Sequence, residues 1–238
     1  MELATWKGAR EARTPTLRAA YFSAWRNLVE TPDGAERMRR IWSGAEPSPV
    51  PLAEPDRTRL AANLALLEVD GWRQILEQED ARIQNPDRKA RFAFIRPSLS
   101  ADPADRERFF ASLADPANRE REPWVLDALY YLDHPRRAEH AERFILPALE
   151  LMEEVQRTGD IFFPESWIQG VLWGHTRPEA AETVRKFLAD HPDLLLNLVK
   201  LCSRGELLTQ LLIVQPELLT GLADPTQFRR PKDRKAHV

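Results

Sequence analysis

The sequence predicts an all-α protein, an irregular α–α superhelix of stacked antiparallel helix pairs. Three observations predict it. Apolar residues recur at spacings of three and four in segment after segment, the period of one face of a helix. Polar residues stand directly before proline at segment starts: Thr31-Pro32, Asn85-Pro86, Asp102-Pro103, Asp115-Pro116, His134-Pro135, His191-Pro192 and Asp224-Pro225. The polar side chain there can accept from a first-turn amide, and proline gives up only an N–H that would have had no partner. Finally, no alternating run of β-branched residues is bounded by hairpin signals.

Taken in chain order, "TLRAAYFSAWRNLVE" sets Leu17, Tyr21, Ala24 and Leu28 on one stripe. "SGAEPSPVPLAEP" at 43–55 is dense in proline and small residues and reads as a long loop between an N-terminal helical pair and the main stack. It lies within one domain, because residues 1–42 are too few to form a core alone. "RLAANLALLEV" contributes Leu60, Leu64 and Leu67, and "DRERFFASLA" contributes Phe109, Phe110 and Leu113. "AERFILPALELMEEV" reads as one long helix burying Phe144, Ile145, Ala148, Leu149, Met152 and Val155. "AAETVRKFLA" follows with Ala180, Val184, Phe187 and Leu188. Short connections between such helices suit antiparallel neighbours, and the pattern is similar to HEAT-type repeats without a fixed period. The expected domain spans residues 1–223. Residues 224–238, ending in "FRRPKDRKAHV", are expected to be a solvated, disordered basic tail.

The stretch "RTGDIFFP" at 157–164 joins the long helix to the next. Gly159 is expected to end the first helix at positive φ, with Asp160 capping locally or pairing with Arg157. Pro164 then opens the following helix, with Glu165 in its first turn. Ile161, Phe162 and Phe163 are expected to bury beside Trp167 as a wedge between helices.

Signs of chemistry are few. The net charge of −3 supplies no basic excess for a nucleic-acid partner. No apolar run approaches the roughly 20 residues of a membrane span, and no apolar segment near Met1 reads as a secretory signal. Cys202 is the only cysteine, sits in a leucine-rich helical pattern and reads as a buried small hydrophobe. Its solitude excludes an internal disulfide and suits a reducing compartment, so a cytoplasmic location is expected. The histidines, His134, His140, His175, His191 and His237, form no H-E-x-x-H pair. His134 and His191 read as caps and His175 as a turn residue. Glu150, Glu153 and Glu154 read as a solvated acidic face. The seven tryptophans read as inter-helix packing with indole N–H groups on loop carbonyls. No G-x-S-x-G elbow or glycine-rich phosphate loop occurs. No catalytic, cofactor-binding or metal-ligating residue is therefore expected in this chain.

One likeness bears on function. "ELMEEVQRTGDIFFPESW" at 150–167 is its most specific part. "NPDRKARFAFIRPSLSADP" at 85–103, "DPANREREPWVLDALYYLDHP" at 115–135 and "EAAETVRKFLADHP" at 179–192 support it, with "LRAAYFSAW" and "MRRIWSG" earlier in the chain. In co-linear order these stretches resemble the C-terminal helical domain of bacterial zinc aminopeptidases of the aminopeptidase N type. The likeness covers roughly residues 15–192 and stops near Pro192. It implies a helical superhelix that closes the peptide chamber over a thermolysin-like catalytic domain. Zinc and the general-base glutamate belong to that domain, so zinc is expected only in a partner or parent catalytic domain. The expected partner is such a domain, or another protein or peptide; neither nucleic acid nor membrane is expected. The alternatives are a stand-alone helical-repeat scaffold that binds a peptide or protein on its concave face and, more distantly, a helical-repeat nucleic-acid enzyme.

Overall fold

Among the described residues, prolines preceded by a side-chain acceptor do start helices. The computed structural model describes residues 1–191. In it Thr31 accepts from the Gly34 amide at 3.0 Å, Asn85 from Arg88 at 3.0 Å and Asp102 from Ala104 at 2.9 Å. Asp115 accepts from Ala117 at 2.9 Å, and His134 Nδ1 accepts from Arg136 at 3.3 Å. Thr14, before Pro15, uses the same device on Leu17. Asp224-Pro225, the basic tail and Cys202 lie outside the described residues, and His191-Pro192 straddles their limit.

Among the described residues the chain is all-helical. The α-helices are α1 (Glu2–Glu11), α2 (Pro15–Leu28), α3 (Pro32–Ser43), α4 (Glu54–Leu66), α5 (Trp72–Arg82) and α6 (Pro86–Leu99). They continue as α7 (Pro103–Ser112), α8 (Glu122–Leu132), α9 (Ala138–Glu150), α10 (Met152–Thr158), α11 (Phe163–Leu172) and α12 (Pro178–Asp190). Short 3-10 turns occupy Pro116–Arg119 and Pro135–Arg137. The chain divides into two compact units, Met1–Thr183 and Val184–Val238. Within the first, neighbours in sequence pair: α1 with α2, α3 with α4, α4 with α5 and α6 with α7. Beyond sequence neighbours, α6 packs on α8, α8 on α11 and α9 on α11, and α4 touches both α2 and α6. In the second unit, His191 Nδ1 lies 2.8 Å from the Phe187 carbonyl.

Most of the anticipated core is buried: Leu60, Leu64, Phe109, Phe110, Leu113 and all six residues expected from Phe144 to Val155. One stripe is corrected. On α2, Leu17 and Tyr21 are exposed, while Phe22, Trp25 and Val29 face inward. The Trp25 ring lies 4.7 Å from that of Trp6 on α1, tilted by 49°, and this contact fixes the face that α2 buries. The long helix is corrected too, because it is interrupted at Leu151 between α9 and α10. Just upstream Pro147 takes an N–H out of the helical ladder, and Trp167 Nε1 donates to the Ala148 carbonyl at 3.1 Å; an internal proline and an outside donor both disrupt a helix. The loop after α3 is tied down by Glu46, which bonds Arg40 Nε at 3.0 Å. Three helices precede it, and α3 packs on α4, so it crosses no gap in the packing.

Buried arginines answer a problem that helical packing creates. The last carbonyls of a helix lack intrahelical donors and must find others when buried. Arg137 donates to the carbonyls of Ser98 at 2.9 Å, Leu99 at 3.0 Å and Ala65 at 3.4 Å, covering the ends of α6 and α4 together. Arg106 donates to Ser100 at 2.6 Å, and Arg119 to Leu113 and Ala114 just past α7. Burial depresses the Arg137 guanidinium to about 10, so it remains charged at neutral pH, where the negative ends of two helices favour it.

Candidate functional site

The turn between α10 and α11 brings the anticipated residues together but arranges them differently. Asp160 Oδ1 accepts from the amides of Phe162 at 2.7 Å and Phe163 at 2.8 Å, so it caps α11 from upstream. Its own amide donates to Glu122 Oε1 at 2.8 Å, which clasps the turn to the start of α8. Phe163 points inward and meets Trp167 edge-on at 6.0 Å, while Pro164 is buried in the first turn of α11. Ile161 and Phe162 are not part of the wedge. They are 80% and 68% exposed and form the tip of the turn. The Asp160 cap fixes the backbone so that only the third apolar side chain reaches the core.

Gly159 also departs from expectation. Its φ of −89° is ordinary extended backbone. Glycine is needed there for space, since a Cβ would lie 2.6 Å from the Phe163 ring and 2.9 Å from the Val155 carbonyl. Arg157 is exposed in the last turn of α10. Beneath the turn is a cavity of about 290 Å³, bordered by Arg119, Glu122, Thr158, Gly159 and Phe163. Arg119 is ion-paired with Glu154, so that carboxylate is not part of a solvated acidic face; Glu150, at the end of α9, is exposed. Burial and the nearby Asp160 push the Glu122 carboxyl up, while the Phe162 and Phe163 amides help hold Asp160 down.

A second constellation lies at the other end of α11 and gave little sign of itself in the sequence. His175 Nε2 is 3.1 Å from Asp133 Oδ1, with side chains 2% and 0% exposed. Burial pushes the Asp133 carboxyl up to about 7 against the opposing pull of His175. Gly174 permits this approach, since a Cβ there would fall 1.7 Å from the Asp133 carbonyl oxygen. A histidine oriented by a carboxylate resembles part of a catalytic triad. Here the pair is sealed from solvent, so no substrate reaches it, and it clasps the α11–α12 turn to the end of α8. Over it, Tyr130 and Trp173 stack on the surface. The partners stand 42 positions apart, which left Gly174-His175 as the only local hint.

The other described histidines are dispersed, and His237 lies outside the described residues. His134 caps its turn as expected, and burial beside Arg136 and Arg137 depresses its ring to about 4. His140 Nε2 is 3.2 Å from Glu107. Among the described residues no three of His, Cys, Asp and Glu lie close enough to share a metal ion. No described helix is long and apolar enough to cross a membrane. Comparison with protein-family models, curated proteins and solved structures finds no match.

Proposed function

We propose that this chain is a non-catalytic helical module that docks on another polypeptide, as the C-terminal helical domain does in zinc aminopeptidases of the aminopeptidase N type. In that role it would close a peptide chamber over a separate thermolysin-like catalytic domain, which would carry the zinc and the general base. The observation that supports this reading most is the tip of the α10–α11 turn. Ile161 and Phe162 project into solvent from a backbone held by the Asp160 cap and the Glu122 clasp. Covering them would gain hydrophobic free energy without the cost of ordering a mobile loop.

The test mixes the purified chain with a separately expressed catalytic fragment of such an aminopeptidase and follows co-elution by gel filtration. The double substitution Ile161→Ser with Phe162→Ser should abolish co-elution. It should change stability by no more than about 0.5 kcal/mol, as befits exposed positions. Absence of a complex with the wild-type chain, or a complex indifferent to the double substitution, would sink the reading. So would zinc-dependent hydrolysis of an aminoacyl nitroanilide by the chain alone. A stand-alone scaffold is the second reading, favoured by the exposed aromatic pair at the far end of α11.

A further inference from the structure

That aromatic pair sits where the ends of α2, α4, α8 and α11 converge. The rings of Tyr130 and Trp173 stack with centroids 4.5 Å apart and planes 5° apart. Each residue is 39% exposed. His134 stands edge-on to both, at 6.0 Å and 5.5 Å. Core packing does not call for this exposure, since Trp25 and Trp167 are fully buried in the same unit.

Tyr130 and His134 also border a shallow cleft with Arg26 and Arg136, and among the described residues no carboxylate lines it. Helix ends would ordinarily add negative potential here, but two of their carbonyls are already bound. Arg136 donates to Val29 at 2.6 Å, and Asn63 Nδ2 to the Arg26 carbonyl at 3.0 Å. Arg136 has Glu30 nearby at 3.5 Å. The Arg26 guanidinium bonds Ser23 Oγ at 3.3 Å and has no carboxylate within ion-pair distance among the described residues. Tyrosine, tryptophan and arginine are the side chains that dominate binding hot spots, because they offer large rigid area and a fork of donors.

We propose that Tyr130, Trp173 and Arg26 form a docking surface for an acidic, aromatic-bearing segment of a partner protein. A ring of that segment packs on the outer face of the stacked pair, and a neighbouring carboxylate meets Arg26. A protein segment is favoured over nucleic acid because, among the described residues, the cleft offers one guanidinium without a carboxylate partner, that of Arg26, whereas a phosphate backbone calls for a clustered basic surface. This inference stands apart from the aminopeptidase-like reading, which rests on the Ile161–Phe162 tip.

The probe is a dye-labelled peptide of alternating glutamate and tyrosine, titrated by fluorescence anisotropy. Its lysine–tyrosine counterpart and an oligothymidine of about twelve nucleotides serve as competitors. The wild-type chain should bind the glutamate–tyrosine peptide, more weakly as salt rises. Trp173→Ala and Arg26→Gln should each weaken binding at least about tenfold. Three results would overturn the proposal: no binding by the wild type, equally good competition by either competitor, or both folded variants binding as the wild type does. Should Trp173→Ala fail to fold, Arg26→Gln decides alone, since among the described residues the guanidinium's one side-chain hydrogen bond is to Ser23.

Discussion

Asp133 shows how far one residue can depart from what its neighbours in sequence suggest. Its carboxyl is fully buried, and the protonated form persists in the folded chain up to about 7. In the unfolded chain it ionises near 4. Between those values the folded state holds the extra proton, so this residue's contribution to stability falls as pH rises from about 4 to about 7. Asp133→Asn cannot titrate. The wild type's stability relative to this variant should therefore decline across that window and level off above it, in urea unfolding at a series of pH values. The carboxyl carbon shift of Asp133, followed by NMR, should titrate near 7; a midpoint near 4 would mean that burial does not govern it. No sequence reading reaches this, because the environment comes from His175 and Gly174, on a distant turn. The same limit separates Phe162 from Phe163. The two are chemically identical, and only the turn set by Asp160 decides which one is buried.

At the level of helices the local signals were legible, because a cap is made by residues within three positions of each other. Asn85 illustrates it: its side chain takes the Arg88 amide, and Pro86 follows with no N–H to satisfy. Asn85→Ala should cost about 1 kcal/mol, and Asn85→Asp almost nothing, since aspartate makes the same bond. Chemical denaturation checks both, and an alanine variant as stable as the wild type would mean the cap is dispensable. Which face a helix buries was less legible. On α2, Leu17 and Tyr21 form one stripe at helical spacing, and Phe22, Trp25 and Val29 form another. Periodicity cannot choose between them; the Trp6–Trp25 contact between α1 and α2 does. The break at Leu151 is half legible: Pro147 stands in the sequence just before it, but the indole on the Ala148 carbonyl arrives from α11.

For the whole molecule, sequence gave helix pairs but not the contacts that join one pair to the next. Those contacts include charged groups in the interior, which composition alone would assign to the surface. Arg137 is the clearest case. Its guanidinium sits beside the ends of α4 and α6, and half-exposed Glu68 is 3.8 Å away. Burying this charge costs desolvation energy, which the depressed pKa reflects. Replacing it with an apolar residue removes that cost but leaves the Ser98 and Leu99 carbonyls without the donor, at about 1–3 kcal/mol each. The carbonyls win, because the guanidinium keeps its charge against two helix ends that stabilise it. Arg137→Met should therefore destabilise the chain by about 2–4 kcal/mol, while the exposed Arg143→Met should stay within about 0.5 kcal/mol. Native-state hydrogen exchange carries the sharper test. Loss of Arg137 should reduce protection in the last turns of α4 and α6 together, because one side chain serves both. Loss confined to one of these helices would show that Arg137 caps an end and does not join the two.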